Sequence, residues 1–179
     1  RAEGFKDTGL FYEKYHVNGL KAQGGFHPDQ TGTLLYAIWH HYYKNIEMGF
    51  KFEDLIIKSA NGLCNIWEKD HFNMITKDLW EERFTFPDLK DNFTYSLAAC
   101  ISGLECANSM IANKRWLMVS EQMRMQLEEH FVDNYFVRSY GKLTDRYIDA
   151  SMLGLVYPFK IYKADDLKII STLDEIEIS

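Results

Sequence analysis

The residues best suited to chemistry stand in the segment 78–83 (DLWEER), where two carboxyl groups, Glu81 and Glu82, directly follow Trp80. Cleavage of a glycosidic bond needs a carboxyl group that still carries a proton near neutral pH. Packing against the Trp80 ring and repulsion from Glu82 would both favour the protonated form of Glu81. The segment therefore makes Glu81 a candidate for a catalytic acid.

Glu81 and Glu82 are adjacent, so they cannot be the acid and base of one glycosidase. Inverting glycosidases hold their two working carboxyl groups about 6.5–9.5 Å apart, with room for a water molecule between the second carboxylate and the sugar. The second carboxylate must therefore come from elsewhere. The residues alone leave a second interpretation open, a surface turn with a solvated salt bridge, because exposed acidic pairs are common and usually idle.

Other candidate sites are weak. His40 and His41 are adjacent helical residues whose side chains point about 100° apart, and no third ligand is spaced to join them. We expect neither a metal nor a cofactor. Cys64, Cys100 and Cys106 lack Cys-x-x-Cys spacing and stand in apolar surroundings, which predicts inert buried thiols.

Composition predicts one domain or part of one, because 179 residues with 46% hydrophobic content can bury a sizeable core. The sequence starts Arg1-Ala2-Glu3 and ends within an apolar-periodic segment at 176–179, so we expect a partial catalytic domain over 1–179, cut at both ends. A net charge of −6 argues against nucleic acid, and no apolar run is long enough for a membrane span. The compartment is unknown, with a cytoplasmic one slightly favoured. Aromatic residues, at 15%, suit either a core or a sugar-binding cleft.

The elements that must position this segment are predicted to be helices, because no stretch shows the sustained period-two alternation of a strand. Apolar spacing predicts helices over 31–46, 52–73, 93–112, 116–136 and 150–157, and a last one behind Asp165 and Asp166. Asp149 or Ser151 is the expected N-cap of the fifth helix, and Gly103 should let another helix approach closely. The fold class is all-α. Consecutive helices should form antiparallel hairpins, with a long loop at 76–92.

Three stretches together resemble glycoside hydrolase family 15, the glucoamylases and glucodextranases. Residues 78–107 (DLWEERFTFPDLKDNFTYSLAACISGLECA) resemble its acid-carrying stretch, in which Leu-Trp-Glu-Glu precedes a helix that begins with Phe-Thr. Residues 25–45 (GFHPDQTGTLLYAIWHHYYKN) resemble a loop and helix upstream of the acid, and residues 146–159 (RYIDASMLGLVYPF) resemble a downstream segment. The resemblance implies part, about half, of an (α/α)6 barrel.

The resemblance also implies roles for individual residues. Glu81 would be the general acid that protonates the glycosidic oxygen, and Glu82 would bind sugar hydroxyls beside it. Leu79 and Trp80 would line the subsite for the terminal glucose. Two further assignments complete the implied site, Asp29 as an acidic position before the helix and Phe26 near a tryptophan platform of the family. Asp29 has an alternative reading as a helix N-cap next to Thr31.

The sequence departs from the family in two places. The family's Trp-x-Arg-Asp motif, which holds the non-reducing-end sugar, is absent from this sequence. The family's downstream arginine and catalytic base are absent as well. We therefore expect a fragment of an exo-acting, inverting enzyme that releases glucose from the ends of α-glucans or oligosaccharides. Its partners would be that substrate and the remaining parts of the same catalytic domain, and the fragment alone should be inactive.

Three alternatives stay open on the sequence. A non-catalytic, glucoamylase-like regulatory or carbohydrate-binding domain, like the regulatory subunit of phosphorylase kinase, would use the same scaffold without hydrolysis. A trehalase or glucodextranase would keep the same acid motif. A helical scaffold for protein partners would predict long exposed apolar patches.

Overall fold

The computed structural model describes residues 2–22 and 24–178 and is about 53% helical. Its α-helices are α1 (Phe5–Thr8), α2 (Pro28–Tyr42), α3 (Ile46–Gly49), α4 (Glu53–Ile66), α5 (Thr94–Met110), α6 (Lys114–Glu128) and α7 (Leu167–Ile178). Short 3-10 helices cover Phe50–Phe52, Pro87–Leu89 and Ala150–Leu155. Arg1 and Ser179, on which the expectation of cut ends partly rests, lie outside the described residues.

Helix α5 forms the centre of the hydrophobic core. Most of its 17 residues are buried, including Leu97, Ile101 and Leu104. It packs against α2 on one side and α6 on another, and α4 packs against α2. A helix that is apolar around most of its circumference is stable only between other elements, which explains why α5 lies inside.

Helices α2 and α5 touch at backbone distance through two glycines. A Cβ atom added to Gly103 would lie 2.4 Å from the carbonyl oxygen of Gly32, and one added to Gly32 would lie 2.5 Å from that of Ala99. The expectation that Gly103 admits a close helix is confirmed, and α2 is that helix. The crossing fixes the start of α2 relative to α5.

Two predicted helices end early because hairpins follow them. Helix α4 stops at Ile66, not at 73, and β1 (Trp67–Glu68) pairs with β2 (His71–Phe72). Helix α6 stops at Glu128, not at 136, and β6 (Phe131–Val132) pairs with β7 (Tyr135–Phe136). Both turns contain residues with positive φ, Lys69 in the first and Asp133 and Asn134 in the second, which a helix cannot accommodate.

Further strands flank the loop of interest. Strand β3 (Thr76–Lys77) pairs with β4 (Phe84–Thr85), and β5 (Asn92–Phe93) pairs with β8 (Ser139–Tyr140). Each strand has two residues, which is too short to show an alternation of polar and apolar positions. The sequence pattern therefore missed them.

The start of α2 differs from the prediction, whereas the starts of the 3-10 helix Ala150–Leu155 and of α7 agree with it. Helix α2 begins at Pro28 instead of Thr31, because proline is pre-organised for the first helical position. Asp149 caps the 3-10 helix Ala150–Leu155 by accepting a hydrogen bond from the Ser151 amide (2.8 Å), as expected. Asp166 does the same for the Lys168 amide at the start of α7 (2.9 Å).

The three cysteines differ in burial. Cys64 and Cys100 are buried, as expected, while Cys106 is partly buried. Burial raises the pKa of the Cys64 thiol to about 11 and that of the Cys106 thiol to about 12.

In the part of the chain that the structure describes, no helix combines the length and apolar character needed to cross a membrane.

Candidate active site

The loop 78–83 is closed at its base by the β3–β4 ladder. Thr76 pairs with Thr85, and their hydroxyl oxygens lie 2.5 Å apart. Above the ladder, the buried Asp78 carboxylate accepts hydrogen bonds from the amides of Glu82 (2.8 Å) and Arg83 (3.1 Å). An aspartate that binds the backbone of the following residues fixes a turn, so the loop has a defined shape.

Glu81 adopts a left-handed backbone conformation, with φ of 62°. Its amide donates to the Asp78 carbonyl at 3.1 Å, which closes the turn. Residues other than glycine, asparagine and aspartate rarely adopt this backbone conformation, which costs them on the order of 1–2 kcal/mol of conformational energy. Strain of this kind concentrates at functional sites, so the conformation singles out Glu81 within the loop.

A cavity of about 480 Å³ lies against this loop. It is lined by residues from the loop, from α2 and its N-cap, and from α5, namely His27, Asp29, Gln30, Thr33, Leu34, Ala37, Leu79, Glu81 and Tyr95. The structure thus brings Asp29, Leu79 and Glu81 of the predicted set to one cavity. The volume is in the range of small-molecule sites.

Asp29 is a buried residue of the first turn of α2, not its N-cap. The N-cap is His27, so the alternative reading of Asp29 as the cap is wrong. Asp29 is 4% exposed as a residue, and its carboxylate accepts a hydrogen bond from the Ser96 hydroxyl at 3.0 Å. Burial raises the pKa of Asp29, and this outweighs the opposing effects of His27 and Ser96.

Two lysines contact the Glu81 carboxylate. Its Oε2 lies 3.1 Å from Lys14 Nζ and 3.8 Å from Lys77 Nζ, and the side chain is 42% exposed. The sequence had predicted apolar packing against Trp80 and repulsion from Glu82. Cationic partners take that place in the structure, because the segment that carries Lys14 folds over the loop.

Trp80 points away from this cavity and toward the 3-10 helix Ala150–Leu155. Its indole nitrogen donates to Asp149 Oδ2 at 2.7 Å, and Arg138 donates to the same oxygen from Nε (3.1 Å) and Nη2 (2.9 Å). Burial opposes the charged form of Asp149, but hydrogen bonds from Ser151, Arg138 and Trp80 hold its pKa below the ordinary value. Trp80 is nevertheless 55% exposed.

Leu79 separates the cavity from a smaller hollow beside Trp80. That hollow, about 10 Å³, is also lined by Tyr95, Arg138 and Asp149. The Glu82 side chain is 62% exposed and lies 3.6 Å from Arg138 Nη1. Glu82 and Trp80 therefore flank the cavity without lining it.

Phe26 does not form a platform in this structure. The side chain is 5% exposed and belongs to the hydrophobic core, where its ring centroid lies 5.9 Å from that of Tyr12. The platform assignment is corrected accordingly, because a sugar can stack only on a ring face that solvent reaches.

The sequence missed several residues at the site. His27 and Tyr95 line the cavity, and Glu13, Lys14 and Lys77 surround the Glu81 carboxylate. His27 could have been found as the neighbour of Asp29 on the same turn. The others had no sequence signal, because only the fold brings them to the loop.

The histidine pair faces aromatic rings. His40 stacks on Tyr36 with a centroid distance of 5.5 Å, and His41 meets Tyr42 edge-on at 4.5 Å. Over residues 2–22 and 24–178, no three His, Cys, Asp or Glu side chains are grouped as metal ligands.

Comparison with known proteins gives one relative and a set of solved structures. No family model matches the chain. The chain is 33% identical, over an alignment of 181 positions, to a protein of Methanocaldococcus jannaschii named as an uncharacterized glycosyl hydrolase. The match covers 94% of this chain but 28% of that relative, so the chain spans less than a third of the relative's length.

Solved structures named as glycosidases have the same fold over the matched region. A wild-type structure superposes with a TM-score of 0.69 at 20% identity, and a variant in complex with glucose with a TM-score of 0.70 at 20% identity. Each match covers 92% of this chain and 43% of the other chain. The chain therefore shares the fold of less than half of these proteins.

Proposed function

We propose that this chain is part of a glycoside hydrolase and carries its general acid, Glu81. The observation that supports this most directly is the cavity of about 480 Å³ in which Glu81, Leu79 and Asp29 meet. The left-handed backbone of Glu81 adds to it, because a strained residue at a cavity wall is a recurrent feature of active sites. The glycosyl hydrolase relative supports the same reaction class.

The proposed reaction is inverting hydrolysis at a chain end with release of glucose, on the resemblance to glycoside hydrolase family 15. Glu81 would protonate the glycosidic oxygen while a second carboxylate positions water on the opposite face of the sugar. That second group would come from the remaining part of the protein, as would the rest of an (α/α)6 toroid. One of the solved structures of like fold is named as a complex with glucose.

The neighbouring side chains receive roles that fit their positions. Leu79 would contact the sugar in the cavity, and Asp29 would accept hydrogen bonds from its hydroxyl groups. Trp80 and Glu82 flank the cavity, where they would contact the part of the substrate outside it.

An acid role requires that Glu81 carries a proton when the substrate binds. Lys14 Nζ and Lys77 Nζ lie 3.1 Å and 3.8 Å from its Oε2, so two positively charged side chains contact the proposed acid.

The test is glucose release by the complete protein from maltooligosaccharides and from trehalose, with wild type compared with Glu81→Gln. We expect β-glucose from wild type and a loss of kcat on the order of 10²–10⁴-fold in the variant, the typical contribution of an acid or base. The better substrate would decide between a glucan hydrolase and a trehalase.

A matched control is Glu105→Gln. Glu105 also forms an ion pair, with Arg124 Nη2 at 2.7 Å, but neither residue lines the cavity. Its variant should keep wild-type kcat. An active wild type with an equally active Glu81→Gln would refute the acid assignment. A protein without activity on any glycoside would instead favour a regulatory or carbohydrate-binding domain.

A further inference from the structure

Glu13 is a nearly buried carboxylate beside the proposed acid. Its side chain is 3% exposed, and its Oε2 accepts a hydrogen bond from the Gly25 amide at 2.8 Å. A Cβ atom added to Gly24 would lie 2.8 Å from the same oxygen, so the backbone of this turn closes directly on the carboxylate. Burying a charge in this way is costly unless partners compensate it.

The compensating partners are the two lysines that also contact Glu81. Lys14 Nζ lies 2.5 Å from Glu13 Oε1 and 3.1 Å from Glu81 Oε2. Lys77 Nζ lies 3.4 Å from Glu13 Oε2 and 3.8 Å from Glu81 Oε2. Two ammonium groups are thus shared between two carboxylates, one buried and one at the cavity.

The two carboxylates differ in the way they hold the lysines. The hydrogen bond from Lys14 is the largest of several effects that keep the pKa of Glu13 well below its ordinary value. The fold therefore favours the charged form of Glu13. Glu81 is more exposed, and it is the one of the pair that a substrate can reach.

We infer that Glu13 is a positioning residue for Glu81: it anchors Lys14 and Lys77 and balances their charge, so that Glu81 can take up a proton. This inference rests on the proposed function, in which Glu81 is the general acid. Without Glu13, the two ammonium groups would have Glu81 as their common counter-ion and would hold it in the charged form.

Other titratable side chains near Glu81 are those of His27, Asp29 and Glu82. His27 Nε2 lies 3.5 Å from Glu13 Oε2, and Asp29, on the same turn of α2, bonds to Ser96 instead. Glu82 follows Glu81 in the chain, but its carboxylate is 3.6 Å from Arg138.

The first experiment measures the pH profile of kcat/KM for wild type, Glu13→Gln and Glu13→Asp in the complete protein. In Glu13→Gln we expect the basic limb to move to lower pH by about one unit. The variant lacks the negative charge of Glu13, so the two lysines would favour ionisation of the acid at a lower pH. Glu13→Asp keeps the negative charge, so its basic limb should lie close to the wild-type pH. A purely structural role of Glu13 would lower activity without moving the limb.

Glu105→Gln again serves as the control for loss of an ion pair, and its limb should stay at the wild-type pH. The inference is overturned if Glu13→Gln folds, retains its activity and shows the wild-type profile, or if its activity falls with no movement of the limb. Glu81→Gln in the same series reports on the proposed function separately, because it tests the acid itself.

A second readout does not depend on activity. In a crystal structure of Glu13→Gln we expect Lys14 and Lys77 to shift toward Glu81 and shorten both contacts. Wild-type positions of all three side chains would contradict the inference, even if the protein proved inactive on every glycoside.

Discussion

The indole nitrogen of Trp80 donates a hydrogen bond of 2.7 Å to the carboxylate of Asp149, a residue 69 positions further along the chain. This bond ties the loop of the proposed acid to the 3-10 helix Ala150–Leu155. Arg138 binds the same carboxylate and extends the link to the segment after β7. The loop that carries Glu81 is therefore held from both sides, by Asp149 through Trp80 and by the β3–β4 ladder.

Substitution of Asp149 should weaken this link. Asp149→Asn leaves Arg138, whose side chain is 12% exposed, without its buried counter-charge. Removal of one partner of a buried pair costs about 3–5 kcal/mol, and the remaining amide oxygen of asparagine can still accept a hydrogen bond, so we expect a loss of about 2–3 kcal/mol in the free energy of unfolding. Urea denaturation followed by tryptophan fluorescence measures it.

The control for Asp149→Asn is Asp174→Asn, at an exposed position of α7. It should change the free energy of unfolding by less than about 0.5 kcal/mol. Equal stabilities of the two variants would show that the Arg138 and Trp80 contacts contribute little to the fold.

The contact between α2 and α5 predicts a second effect on stability. Gly103→Ala would place a methyl group 2.4 Å from the Gly32 carbonyl oxygen, so the helices must separate. Overpacking costs about 1–3 kcal/mol and outweighs the gain of about 1 kcal/mol in helix propensity. We expect a lower thermal midpoint by calorimetry, whereas Glu121→Ala at an exposed position of α6 should leave it nearly unchanged.

The left-handed backbone of Glu81 predicts that glycine is more stable than alanine at this position, the reverse of the usual order. Because φ is 62°, Glu81→Gly should be more stable than Glu81→Ala by about 1 kcal/mol. Glu82 is not among the residues with positive φ, so there the alanine variant should be the more stable. Chemical denaturation of the four variants checks this. The same order at both positions would mean that Glu81 does not keep its strained conformation in solution.

Local patterns predicted the helices because a helix has a local period. The central parts of α4, α5 and α6 lie where apolar spacing placed them, Asp149 acts as the expected cap, and α7 begins behind Asp166 as expected. The errors lie at helix ends, where two-residue strands take over after Ile66 and Glu128. Such strands depend on their pairing partners, and two residues are too few to show the alternation that would predict a strand.

The candidate site was predictable only in part, for a similar reason. The segment around Glu81 has a distinctive sequence, and Asp29 and Leu79 do line its cavity. Lys14 and Glu81, by contrast, are 67 residues apart, and nothing in their spacing shows that they form an ion pair. Phe26 failed as a platform because its burial depends on Tyr12 and the rest of the core, not on its position beside the loop.

A buried histidine predicts how stability changes with pH. His130 is fully buried, its Nδ1 lies 2.7 Å from the Thr94 hydroxyl, and burial lowers its pKa to about 3. An unfolded histidine titrates near pH 6.5, so between these values the unfolded chain binds a proton that the folded protein does not. His130 should therefore destabilise the fold as pH falls from about 6.5, by up to about 1.4 kcal/mol per pH unit. His130→Asn removes this titration, so its free energy of unfolding should depend less steeply on pH between 4 and 6 in urea denaturation series at about half-unit steps of pH. His16→Asn, which removes a histidine at an exposed position, is the control. Equal slopes for wild type and His130→Asn would show that His130 is protonated in the folded state.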